Sequence, residues 1–138
     1  MKKQTPLPSW LSLALRLIPA VLLLQSLIFK FSGAEVSKLL FTTIGMDPWG
    51  RIGIGTAELI VGLLLLYRPT VFWGALGSLG LMAGAIFFHL FTSLGIEIAL
   101  PEGGTDGGQL FAMAVVIFLL SLLNVYFHRS SFRTLFQK

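Results

Sequence analysis

Four apolar stretches occupy most of this 138-residue chain, and only Arg16, Glu58 and His89 interrupt them as ionisable groups, with Lys30 at the edge of the first. In hydrocarbon such a side chain costs from a few to more than about ten kcal/mol unless it is paired, meets water or snorkels to the interface, so each needs a partner or a purpose. Composition agrees: 55% of residues are hydrophobic and 12% charged, against about 25% charged in an ordinary soluble domain. A water-soluble fold could not hide that much apolar surface. Four crossings of about 20 residues each leave no room here for a separate soluble catalytic module.

The first span is expected over 10–29, entered through Pro6 and Pro8, with Trp10 in the interfacial aromatic belt. Basic residues ahead of an apolar run also suit a signal peptide, but the run is too long for one and contains Arg16, so it reads as a retained helix. The second span, 52–67, is short enough that Arg51 and Arg68 are expected to snorkel from its ends. The third covers 71–94 and the fourth 110–127. The fold class is therefore an all-α membrane protein, with four transmembrane helices in an antiparallel bundle forming one domain.

Lys2, Lys3, Arg68, Arg129, Arg133 and Lys138 fall on one side of these spans, and Lys30, Lys38 and Arg51 on the other. The excess of basic residues on the first side places both termini in the cytoplasm. Between the first two spans, Val36, Leu39, Leu40 and Ile44 recur at near-helical spacing, which predicts a short amphipathic helix on the outer interface. The other outer connection, LPEGGTDGGQ, is glycine-rich and acidic and reads as a flexible connector.

The third span carries Gly77, Gly80 and Gly84, the last two as a GxxxG step. Small residues let helix backbones approach closely, so this face predicts packing inside the bundle, or a homodimer seam.

Depth decides which polar groups can meet. At 1.5 Å per residue, Gln25 lies about 7 Å further in than Lys30, Glu58 about 10 Å below the start of its span, and His89 about 8 Å from the end of its own. Gln25, Lys30, Glu58 and His89 can thus converge in the outer half as a ligand-binding cluster. Arg16 is at the wrong depth; it is expected to snorkel to phosphates or to cap carbonyls of the third helix. Glu58 has two readings. One is a structural ion pair with Lys30. The other is a carboxylate set between desolvation and the Lys30 charge, passing a proton to a hydroxyl or quinone oxygen with His89 as donor or relay.

Other chemistries are excluded. The chain has no cysteine, which removes disulfides, thiolate metal sites, cysteine-ligated iron-sulfur clusters and thiol exchange. His89 and His128 stand near opposite faces and cannot ligate one haem iron, and Glu58 with His89 is too small a set for a closed metal site. GIGTAE, over 53–58, lacks the final glycine of a dinucleotide fingerprint. The net charge of +4 comes without a basic stripe interleaved with aromatics, so nucleic acid is not an expected partner.

Several of these segments together resemble the DoxX-like family of small bacterial membrane proteins. The likeness runs from Leu15 to Leu94: an arginine early in the first span (LRLIPA), a lysine ending it (FKFSG), a glutamate before a leucine run (GTAELIVGLLLLY), and a small-residue span ending in histidine (GLMAGAIFFHL). Ser26 and Leu27 stand where the family often has glycine. The resemblance implies a four-helix membrane bundle with Arg16, Lys30, Glu58 and His89 as its polar residues. It also implies, for some members, association with quinone-linked redox assemblies. The leading expectation is an accessory subunit of such an assembly, with no intrinsic cofactor, a quinone as candidate ligand, and membrane-protein partners. A structural or assembly subunit without a ligand site is the alternative. A small-solute transporter ranks third, for want of paired broken helices.

Overall fold

Backbone polar groups in hydrocarbon must be satisfied within the chain, so apolar spans of this length are helical. In the computed structural model, which describes residues 6–135 with side chains through Ser130, they are. The helices are α1 (Ser9–Ser32), α2 (Glu35–Thr43), α3 (Trp49–Leu66), α4 (Val71–Phe91) and α5 (Gln109–Leu135), with a single 3-10 turn at Arg68–Thr70 between α3 and α4. All but α2 are long and apolar enough to cross a membrane. The protein is thus a multi-pass four-helix membrane bundle. Lys2, Lys3 and Lys138, and the side chain of Arg133, lie outside the described residues.

The four long helices form a ring in which α1 packs on α3 and α5, and α4 packs on α3 and α5. Ala20, Leu23, Val61, Leu65, Val71, Ala75, Met82, Ala114 and Ile117 fill its centre. Without a hydrophobic drive between helices in lipid, close packing has to hold the ring. Glycine supplies it between α3 and α4: a methyl group on Gly74 would come within 2.8 Å of the Leu65 backbone nitrogen, and one on Gly77 within 2.8 Å of Val61 Cγ2. Gly80 and Gly84 behave differently, since a methyl on either meets nothing within 4 Å. The GxxxG step therefore takes no part in packing within the chain.

Helix α2 is the expected short helix between the first two spans, at the end of the bundle where α1 stops and α3 begins. Phe41 and Ser37 are its buried residues, while Leu39 points outward. Gly33, at φ 68°, ends α1 in the left-handed conformation that a side chain disfavours, and Ala34 N–H then bonds the Phe29 carbonyl at 3.1 Å. The chain can thereby turn directly into α2.

The glycine-rich connection is an ordered hairpin, not the flexible connector expected. Ala99 and Thr105 pair across it, the Leu100 N–H bonds the Gly104 carbonyl at 3.1 Å, and the Thr105 hydroxyl donates to Glu97 Oε2 at 2.8 Å. Leu94 and Ile98 are buried and pin it down. It begins early because α4 stops at Phe91, three residues short of the expected end: Thr92 is extended, and its hydroxyl bonds the Phe88 carbonyl and accepts from the Leu94 N–H.

Pro19 sits inside α1. Having no N–H, it leaves the carbonyl four residues back, that of Leu15, without its helical donor. The fully buried Asn124 of α5 donates to that carbonyl from Nδ2 at 2.6 Å, and also to Leu120 O at 3.0 Å. The defect in one helix becomes a fastening to another. Replacing Asn124 by Leu should lower stability in detergent by about 1–3 kcal/mol, the cost of a buried unsatisfied carbonyl. Adding Pro19→Ala restores the local donor and should recover much of that loss. Additive effects in this double-mutant cycle would contradict the assignment.

Candidate functional site

The charged residues near the α2 end meet as a chain of contacts between α1 and α3. Lys30 ends α1 and Glu58 lies two turns into α3, where their side chains pair at 2.9 Å, only 15% and 6% exposed. Ser26, one turn before Lys30, stands between them: its hydroxyl donates to Glu58 Oε2 at 2.8 Å and lies 3.2 Å from Lys30 Nζ. The same Ser26 hydroxyl also lies 2.7 Å from the Leu23 carbonyl. Close approach is possible because α3 presents Gly55 and Gly62 to α1, where added methyl groups would strike Phe31 and Leu24.

Arg51, expected to snorkel, is buried instead. Its Nε donates to Asp47 Oδ1 at 2.6 Å, one turn back, and its Nη1 donates to the Lys30 carbonyl. It thereby satisfies a carbonyl at the end of α1 and ties that end to the start of α3. Together these groups form a line of alternating charge: Asp47, Arg51, Lys30, Glu58.

Gln25 and His89 do not join this line. Gln25 is exposed on the outer face of α1 and makes no hydrogen bond among the described residues; its neighbour Ser26 takes the inward position. His89 is buried in the last turn of α4, with its ring edge-on to Phe111 at 5.5 Å. Its Nδ1 lies 2.7 Å from the Gly95 carbonyl, and since a carbonyl only accepts, Nδ1 carries the proton. Among the described residues nothing bonds His89 to Lys30 or Glu58. Arg16 behaves as a cap, but of the second span and not of the third helix expected: Nη1 donates to the Leu66 carbonyl at 2.9 Å, at the end of α3.

Two hollows open near this end. One of about 330 Å³ is lined by Glu35, Lys38, Leu39, Thr42 and Pro101. The other, of about 220 Å³, lies between α2 and the hairpin, along Leu39, Leu94 and Ile98. Neither is lined by Lys30, Glu58 or His89. No group of three or more His, Asp or Glu suited to a metal ion occurs among the described residues.

Sequence reasoning missed a second polar layer nearer the termini. Ser121 donates to Ser78 at 2.8 Å between α5 and α4, both fully buried. One turn on is Asn124, whose own carbonyl contacts His128 Nδ1 at 3.0 Å. Pro19 was the available signal, because an interior proline in a span demands a donor from elsewhere. No protein-family model, curated protein or solved structure matches the chain.

Asp106 organises the hairpin. Its carboxylate accepts from the backbone N–H groups of Ile98 at 2.8 Å, Gly108 at 2.9 Å and Leu110 at 3.0 Å, the last at the start of α5. Burial by itself raises the pKa of this carboxyl, but the three N–H bonds and the nearby charge of His89 outweigh it and hold it below its ordinary value. A carboxyl lowered in the folded state stabilises that state above its unfolded pKa, and the contribution is lost as pH falls through the folded one. Amide-exchange protection at Ile98, Gly108 and Leu110, corrected for intrinsic rates, should therefore hold at neutral pH and fall away below about pH 4. Asp106→Ala should remove it at every pH. Protection that persists to about pH 2 would contradict this role.

Proposed function

We propose that this chain is a DoxX-like integral membrane protein serving as an accessory subunit of a larger membrane assembly, to which it contributes a fastened four-helix scaffold. The observation that supports this reading is the closure of the charged pair: Lys30, Glu58 and Ser26 satisfy one another across the α1–α3 seam. A reaction centre needs a concave space beside its polar groups, whereas a fastening does not. Open small-residue positions at Gly80 and Gly84 offer a surface on α4 for a partner helix. The resemblance implies a bacterial plasma membrane, and the Lys and Arg count favours both termini in its cytoplasm, which sets the pair in the outer half.

A quinone-linked redox assembly is the second reading, and one feature favours it. The Lys30 side chain remains more open than that of Glu58, so a quinone oxygen arriving along α1 would meet the ammonium first and could then be protonated through the Ser26–Glu58 contact. Electrons would have to come from a partner, since the cysteine-free chain has no sulfur relay.

Matched replacement separates the two. Removing one member of a buried pair costs about 3–5 kcal/mol, while replacing both with apolar residues is often nearly neutral. Lys30→Met or Glu58→Leu alone should thus reduce the amount of folded chain recovered with its partners from native membranes, and the double variant should restore it. If the double variant assembles normally but the assembly loses quinone-dependent turnover, the scaffold reading gives way to the quinone one. If the wild-type chain migrates without any partner, both fail.

A further inference from the structure

Gln25, a polar residue within a span, faces outward and has no hydrogen bond among the described residues. It lies seven residues from the end of α1 at Ser32, about 10 Å along the helix, and about 7 Å further in than Lys30 at the edge of the span. Its lone amide in hydrocarbon has two donors and an acceptor to satisfy.

Its neighbours on that face are spaced in a regular way. Leu11, Ala14, Ile18, Val21, Gln25, Ile28 and Ser32 follow one another at alternating steps of three and four residues, the seam spacing of a coiled coil. Ile18, Val21 and Ile28 are 46%, 56% and 67% exposed, while the residues α1 turns to its own bundle, Leu15, Pro19, Leu23 and Leu27, are buried on the opposite side. The stripe is therefore a second packing face that the chain does not use, with β-branched residues around a single amide.

We propose that this face binds the same face of a second copy of the chain, with α1 against α1 and Gln25 against Gln25. All copies insert in one orientation, so a two-fold axis along the membrane normal brings each residue of the seam opposite its own equivalent at the same depth. Few side chains suit such self-pairing. Two lysines or two glutamates would repel, whereas two carboxamides each donate and accept. Polar side chains of this kind join helices in lipid, and one polar residue in an otherwise apolar seam sets its register. The proposal does not depend on the identity of any larger assembly, because it concerns the chain alone.

The absence of native cysteine makes the test direct, since any disulfide must be intermolecular in a single-cysteine variant. In vesicles of phosphatidylcholine, Ile18→Cys, Val21→Cys, Gln25→Cys and Ile28→Cys should cross-link, and Leu13→Cys, exposed but off the stripe, should not. Energy transfer between labelled copies, followed on dilution with lipid, should show Gln25→Leu weakening association about 5- to 30-fold, with Gln25→Asn retaining most of it. Gln25 makes no hydrogen bond among the described residues, so these variants should fold normally, and unchanged helical content would verify it. Cross-linking confined to Gly80→Cys or Gly84→Cys would move the seam to α4 and overturn the proposal. So would association that Gln25→Leu leaves unchanged, or no association at any dilution.

Discussion

A polar group among apolar helices has no water to fall back on, and that constraint organises the whole bundle. Each helix–helix seam is closed by a different device meeting it. Between α1 and α3 it is the Lys30–Glu58 pair with Ser26. Between α1 and α5 it is the carbonyl that Pro19 strands and Asn124 recovers. Between α4 and α5 two buried serine hydroxyls face each other. The α3–α4 seam uses close glycine contact, aided by Thr70, whose hydroxyl lies 2.8 Å from the Leu64 carbonyl at the turn. Because each device joins different helices, sliding any one helix along its neighbour would leave at least one buried group unpaired. Apolar contact alone would resist such a shift far less, since one leucine replaces another at small cost.

The two ends of the bundle are built on different principles. At the α2 end, charged groups are paired in sequence from Asp47 to Glu58, and the hairpin carboxylate of Asp106 collects backbone donors above them. Toward the termini the polar contacts are mostly neutral: serine with serine, and asparagine and histidine with backbone carbonyls. Two arginines are exceptions: Arg16 donates to the carbonyl ending α3, and Arg129 lies over the Tyr126 ring at 4.3 Å. Neutral fastenings carry a small desolvation cost and tolerate depth, whereas ion pairs are favoured where one member stays near the surface. Lys30, more open than Glu58, fits that division.

Fold class was legible because hydropathy integrates over twenty residues, and the Lys30–Glu58 meeting was legible because helical rise converts residue number into depth. Depth says nothing about direction around the axis, which is why Gln25 had the right height for the cluster and the wrong face. Arg51 was misjudged for a related reason: its place at a span end suggested snorkelling, but Asp47 one turn back and an unsatisfied carbonyl at Lys30 drew it inward. The hairpin escaped notice because its glycine content suggests mobility, and only contacts remote in sequence, such as Asp106 with Ile98, reveal that the glycines serve tight turning.

Gln25 and Ser26 show how one helix can serve two interfaces. Adjacent in sequence, they project about 100° apart around the axis. Ser26 completes a closed contact inside the chain, and Gln25 carries its unmet hydrogen bonds outward. Inside the bundle the polar groups mostly hold the chain's own helices, although Asn124 Oδ1 is a buried acceptor with no partner among the described residues. On the surface the fold leaves open the amide in the α1 stripe and the positions of Gly80 and Gly84 on α4. On the reading proposed above, in which the chain is one component of a membrane assembly, these open surface positions are where a neighbouring helix would dock.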